Sequence, residues 1–123
     1  MASATVRERI DSAVAGWEGT SAHPHRFGGV EFCFGKREIG HLHGDRLLDV
    51  PFPRRVHDEL IAAGKALPHH VLPDSGWVSF HITGGDDVEA AIALLRRSYE
   101  LIVEQTARRK AQSVAATGAT VSG

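Results

Sequence analysis

Val88, Ala91, Ile92, Leu95, Tyr99, Ile102 and Val103 recur at spacings of three and four residues. That is the mark of one long helix with a single apolar stripe. Such a helix needs an extended apolar surface to lie on, and the chain before it supplies strands that could form one. In Val30-Glu31-Phe32-Cys33-Phe34 every second residue is large and apolar, the period of a half-buried strand. Across the Gly35-Lys36 turn, Arg37 to Leu42 reads as its hairpin partner. Leu47 to Val50 makes a short third strand, stopped by Pro51-Phe52-Pro53. Leu67 to Pro73 is short and extended. Trp77 to Ile82 is the clearest strand, with Val78, Phe80 and Ile82 facing one way and Trp77, Ser79 and His81 the other.

Two further helices complete the pattern. Val6, Ile10, Ala13, Val14 and Trp17 share a face, and Thr5 with Glu8 forms a capping box. Val56, Leu60 and Ala63 lie on a second helix that ends at Gly64. The polar stretch from Gly19 to His25, which holds Pro24, reads as a loop. The last helix opens on Asp86 or Asp87 as cap. The resulting order, α-β-β-β-α-β-β-α, predicts an α+β fold: a two-layer α/β sandwich with a mainly antiparallel sheet and the helices on one face. The other face is then open, and an open sheet face is where such a protein binds a ligand or a second copy of itself.

A chain of 123 residues fits one domain. Its expected span is residues 1–110, with 111–123 read as a disordered tail because Ala, Thr, Ser, Gly and Val follow there without period. A formal net charge of −1 gives no sign of the clustered Lys and Arg that nucleic-acid binding requires, so no nucleic-acid partner is expected. No stretch has the length and apolarity of a membrane span. The charged, apolar-poor N-terminus is not a signal peptide, so a cytoplasmic location is expected. The single cysteine, Cys33, fits a reducing compartment and reads as a small buried residue.

Histidine is the unusual component: there are eight, six of them between His41 and His81. His41 and His43 share one side of a strand, and two imidazoles so placed are half of a metal site such as one for zinc. If Leu42 faces the helices, the open face gathers His41, His43, Trp77, Ser79 and His81, with Glu31 and Cys33 beside them and Asp45, Asp49, His69 and His70 near the edges. Ile39 conflicts with this, because it would share a face with His41; a bulge at Gly40 would reconcile them. The glycines flanking His41 and His43 leave space for a ligand. Arg54 and Arg55, at the unfavourable end of a helix dipole, could clamp an anion. Three readings stay open: a divalent-metal site, a polar pocket without metal, and structural or interface histidines. In a catalytic version His41 or His43 is base or ligand, oriented by Glu38, with His70 as a further ligand. In the alternative, Trp77 anchors a protein partner or a homodimer. No flavin, nicotinamide, P-loop or hydrolase-elbow motif is present.

The run Glu38-Ile39-Gly40-His41-Leu42-His43-Gly44-Asp45, with Leu48-Asp49-Val50-Pro51-Phe52-Pro53, Pro68-His69-His70-Val71-Leu72-Pro73 and Ser75-Gly76-Trp77-Val78-Ser79-Phe80, resembles the luciferase-domain family of short bacterial and fungal proteins. These are unrelated in size to the flavin-dependent barrel luciferases. The resemblance implies that Glu38, His41, His43 and His70 are the site positions, with Asp49 as a further candidate. The Trp77 strand and Ser98-Tyr99-Glu100-Leu101 are similar, at the level of fold, to YjbR/MmcQ-like proteins and secretion chaperones, whose α-β-α architecture is like the one expected here.

Overall fold

The computed structural model describes residues 4–25 and 28–121. Helix α1 (Val6–Ala15) is followed by β1 (Thr20–His25), β2 (Gly29–Phe34), β3 (Arg37–His43) and β4 (Leu47–Pro51). Then come α2 (Arg54–Ala62), β5 (Leu67–Pro68), β6 (Trp77–His81), a 3-10 turn at Gly85–Asp87 and α3 (Val88–Val121). The strands form one sheet in the order β1-β2-β3-β4-β6-β5, and every pair is antiparallel. The α+β sandwich with one open sheet face is as expected, with one strand added.

That addition is β1, which replaces the expected loop over Gly19 to His25. Its polar sequence and Pro24 conceal it, but proline is tolerated on an edge strand, where one row of N–H groups needs no partner. The last helix also differs from expectation. It continues as helix past Ala111, where a disordered tail was expected. From Thr106 to Ala115 every side chain is exposed, so the apolar stripe ends where the sheet ends. Ala, Gln and Lys favour helix without needing a covered face.

The core lies between sheet and helices. Phe32, Ile39, Leu42, Leu48, Val50 and Val78 point from the sheet into Ile10, Val14, Val88, Ala91 and Leu95 of α1 and α3. Burying each large aliphatic contributes roughly 1.5–3 kcal/mol. The expected Thr5–Glu8 capping box is present at the start of α1.

The conflict between Ile39 and His41 is resolved by a bulge. Phe32 pairs with Gly40 but Cys33 pairs with Glu38, so Ile39 is the extra residue in β3. Ile39, Gly40 and Leu42 all face the helices, while Glu38, His41 and His43 face out. Ser98 of α3 pins the bulge, donating to the Ile39 carbonyl at 2.8 Å and the Pro51 carbonyl at 3.3 Å. Gly40 does not make room for a ligand as expected. A Cβ there would lie 2.8 Å from Leu95 Cδ2 and 2.9 Å from the Asp49 carbonyl oxygen, so the glycine lets α3 press onto the sheet.

Candidate metal centre

Sheet register builds the site. His23 pairs with Glu31, Glu31 with His41, His41 with Asp49, Asp49 with Ser79 and Ser79 with Leu67. These residues therefore form one cross-strand row on the open face. Side chains directly opposite in antiparallel strands approach to about 5 Å, so the row brings polar groups together without any loop having to hold them.

Asp49 is the hub. It sits in an otherwise apolar strand, between Leu48 and Val50, and is fully buried. Its Oδ1 accepts a hydrogen bond from Ser79 Oγ at 2.7 Å. Its Oδ2 is ringed by imidazole nitrogens: His43 Nε2 at 2.9 Å, His41 Nε2 at 3.2 Å, His70 Nε2 at 3.2 Å and His69 Nε2 at 3.4 Å. Burial raises the pKa of the Asp49 carboxyl, but its bonds to His41, Ser79, His70 and His43 outweigh that and hold it below the usual carboxylate range. One carboxylate oxygen offers about two lone pairs, fewer than the four nitrogens gathered around it.

The surrounding groups fix the tautomers. Glu38 Oε2 accepts from His41 Nδ1 at 2.6 Å, which leaves Nε2 of a neutral His41 with a free lone pair. Burial lowers the His41 pKa, yet Asp49 and Glu38 overcome it and push the group up to about 9. Glu38 itself is raised by burial and lowered more by His41 and Glu31, with a net downward shift. Glu31 moves up, chiefly through its hydrogen bond to Glu38. His69 is arranged in the opposite sense. Its Nδ1 accepts from the backbone N–H of Val71 at 3.1 Å and of Leu72 at 3.0 Å. A neutral His69 therefore carries its proton on Nε2 and can only donate toward the centre. Burial shifts its pKa down, which favours that neutral form.

His41, His43 and Asp49 form one group with donor atoms close enough to hold an ion, and Asp49, His69 and His70 form another. The tautomers separate them. His41, His43, His70 and Asp49 can each present a lone pair, whereas His69 presents an N–H. An imidazole-rich set with one carboxylate suits zinc, iron, nickel or copper rather than calcium or magnesium.

Two aromatic groups wall the site. His25 stacks on His41 with ring centroids 4.6 Å apart, reaching over from β1 opposite Gly29, which has no side chain to hold it off. Trp77 packs on His41 at 5.2 Å and on His69 at 6.1 Å. Trp77 is thus half-buried as a wall of the site, and its ring is not free on the open face.

The structure thus unites Glu38, His41, His43, Asp49, His70 and Trp77. It does not bring in Asp45, which is exposed in the turn after β3, or His81, which is exposed at the end of β6, paired with Leu47 outside that row. Arg54 pairs with Asp58 at 3.4 Å and donates to the Asp74 carbonyl, and Arg55 is exposed on α2. Neither arginine meets the cluster. Burial, then Glu31 and Glu38, raise the Cys33 pKa, which disfavours the thiolate that a nucleophile needs. His25 is the residue that sequence reasoning missed, because its strand was read as a loop.

These features define an antiparallel α+β sandwich with a histidine–aspartate centre on its open sheet face. The luciferase-domain family model matches residues 36–98, just over half of the chain, and the protein belongs to that family. The matched span holds every member of the centre except His25 and Glu31. No curated protein and no solved structure matches the chain, so the likeness to YjbR/MmcQ-like proteins is not supported. Among the described residues no helix is long and apolar enough to cross a membrane.

Proposed function

We propose that this domain binds one first-row transition-metal ion through His41, His43, His70 and Asp49, and presents it to a small ligand at the open face. One observation carries the reading: imidazole nitrogens crowd a single buried carboxylate oxygen in greater number than its lone pairs can serve. An ion among these donors would give each lone pair a partner. Two supports stand behind it. Glu38 holds His41 in the metal-binding tautomer, as carboxylates behind ligating histidines do. The His43 and His70 side chains keep 35 % and 43 % of their surface exposed, so a ligand could reach the ion. His69 would then donate its Nε2–H to whatever the ion holds.

Elemental analysis of untagged protein purified with native metals is expected to find about one ion per chain. The His41→Ala, His43→Ala double variant should contain none and keep its far-ultraviolet circular dichroism. A wild-type protein that stays metal-free after dialysis against zinc and ferrous iron sinks the reading.

Binding should also depend steeply on pH. Metal-free His41 is raised from 6.5 to about 9, so the ion must displace its proton. Apparent affinity should climb about tenfold per pH unit between these values and flatten above them. Stability of the metal-free protein should move the other way. The protonated His41, facing Glu38, Asp49, His25 and His43, contributes fully below pH 6.5, and that contribution is lost as pH rises through about 9. Chelator competition and urea unfolding, each repeated across this range, check the two signs.

A further inference from the structure

The end of the sheet beside the metal centre is hollow. A groove of about 410 Å³ opens where β3 begins, β4 ends, β6 begins and α3 crosses them. Its walls are mainly apolar, from Phe52, Pro53, Trp77, Leu101 and Ile102. That volume, and an apolar lining with few polar groups, is the usual form of a small-molecule site.

Its polar groups lie where they can orient a ligand. Glu38 and Trp77 line the groove and also touch the centre, through His41 Nδ1 at 2.6 Å and the His41 ring at 5.2 Å. One end of the groove therefore meets the histidines. Arg37 and Gln105 also line it. The Arg37 guanidinium donates to Gln105 Oε1 at 2.8 Å, a neutral acceptor, and has no carboxylate partner among the described residues. Arg96 and Arg97 of α3, by contrast, each hold a glutamate.

We infer that this groove binds a small organic carboxylate with an apolar body, its carboxylate at Arg37 and its far end beside Glu38, Trp77 and the metal centre. A single guanidinium fork matches one carboxylate. Glu38 nearby disfavours a ligand of higher negative charge, such as a phosphate. The inference rests on the metal reading only for what the far end meets; the groove and Arg37 stand on their own geometry.

The test uses the full chain and two probes, 4-phenylbutanoate and 4-phenylbutan-1-ol, titrated calorimetrically, with metal content measured on the same samples. The acid should bind at least fivefold more tightly than the alcohol. Arg37→Gln should remove that preference and leave the metal content unchanged, and Leu101→Trp should block both probes. Acid binding that depends on Arg37 in a protein without metal upholds the groove and defeats only the metal reading. The inference is overturned if neither probe binds at millimolar concentration, if both bind equally, or if binding survives Leu101→Trp.

Discussion

Asp49→Ala is expected to abolish metal binding and to lower the folding free energy by about 3–5 kcal/mol, the usual cost of removing one partner from a buried charged cluster. The carboxylate is fully buried and is the common partner of His41, His43, His70 and Ser79. Without it Ser79 Oγ loses its acceptor inside the sheet, and the His41 imidazolium keeps only Glu38. The loss should be larger at pH 6 than above pH 9, because at high pH His41 can release its proton instead of remaining charged without Asp49. Asp49→Asn separates charge from shape. It keeps an acceptor for Ser79 and should cost less stability, yet it removes the anionic ligand and should still weaken metal binding by at least a hundredfold. Urea unfolding in chelator measures the first effect and chelator competition the second. A loss below about 1 kcal/mol for Asp49→Ala would show that the cluster holds nothing together.

Asp49 also shows what the sequence could and could not reveal. A lone aspartate between Leu48 and Val50 breaks an apolar strand, and that anomaly singles the position out. Its place at the centre of the histidines depends on register, which local pattern does not set when flanking strands are bulged. The bulge was legible as a contradiction, since Ile39 and Leu42 could not both be core in a regular strand. The structure places the extra residue at Ile39. β1 was not legible. It is an edge strand whose inner residues, Ser21 to Pro24, are exposed on both faces, so no alternation marks it, and His25 was lost with it. Neighbouring His69 and His70 look equivalent in the sequence. They differ only because the chain bends so that the Val71 and Leu72 amides donate to His69 Nδ1. Arg54 and Arg55 drew notice for opposing the helix dipole. Arg54 is instead engaged by Asp58 one turn on and by the Asp74 carbonyl, so the anomaly has a local explanation for that residue.

The same loop gives the second large effect. Gly76→Ala is expected to cost on the order of 3 kcal/mol, at the upper end of ordinary overpacking, and to weaken metal binding at least tenfold although no ligand is changed. A Cβ at Gly76 would stand 2.1 Å from the Phe52 carbonyl oxygen. That oxygen belongs to the backbone and cannot rotate away as a side chain could. The Gly76 carbonyl is also fixed, because it accepts the Phe52 N–H at 3.1 Å. Relief must come from moving the start of β6 away from the end of β4. That shift carries Trp77 off His41 and loosens the segment that brings His69 and His70 over Asp49. Gly44→Ala is the informative comparison. Gly44 has a φ of +60° but nothing within 4 Å of a Cβ, so its cost is conformational alone, about 1 kcal/mol. Unfolding and chelator competition on the two variants separate a steric effect at the site's anchor from a general sensitivity to losing glycine. If Gly76→Ala is no worse than Gly44→Ala in both measurements, the contact between Phe52 and Gly76 does not hold the histidine loop in place.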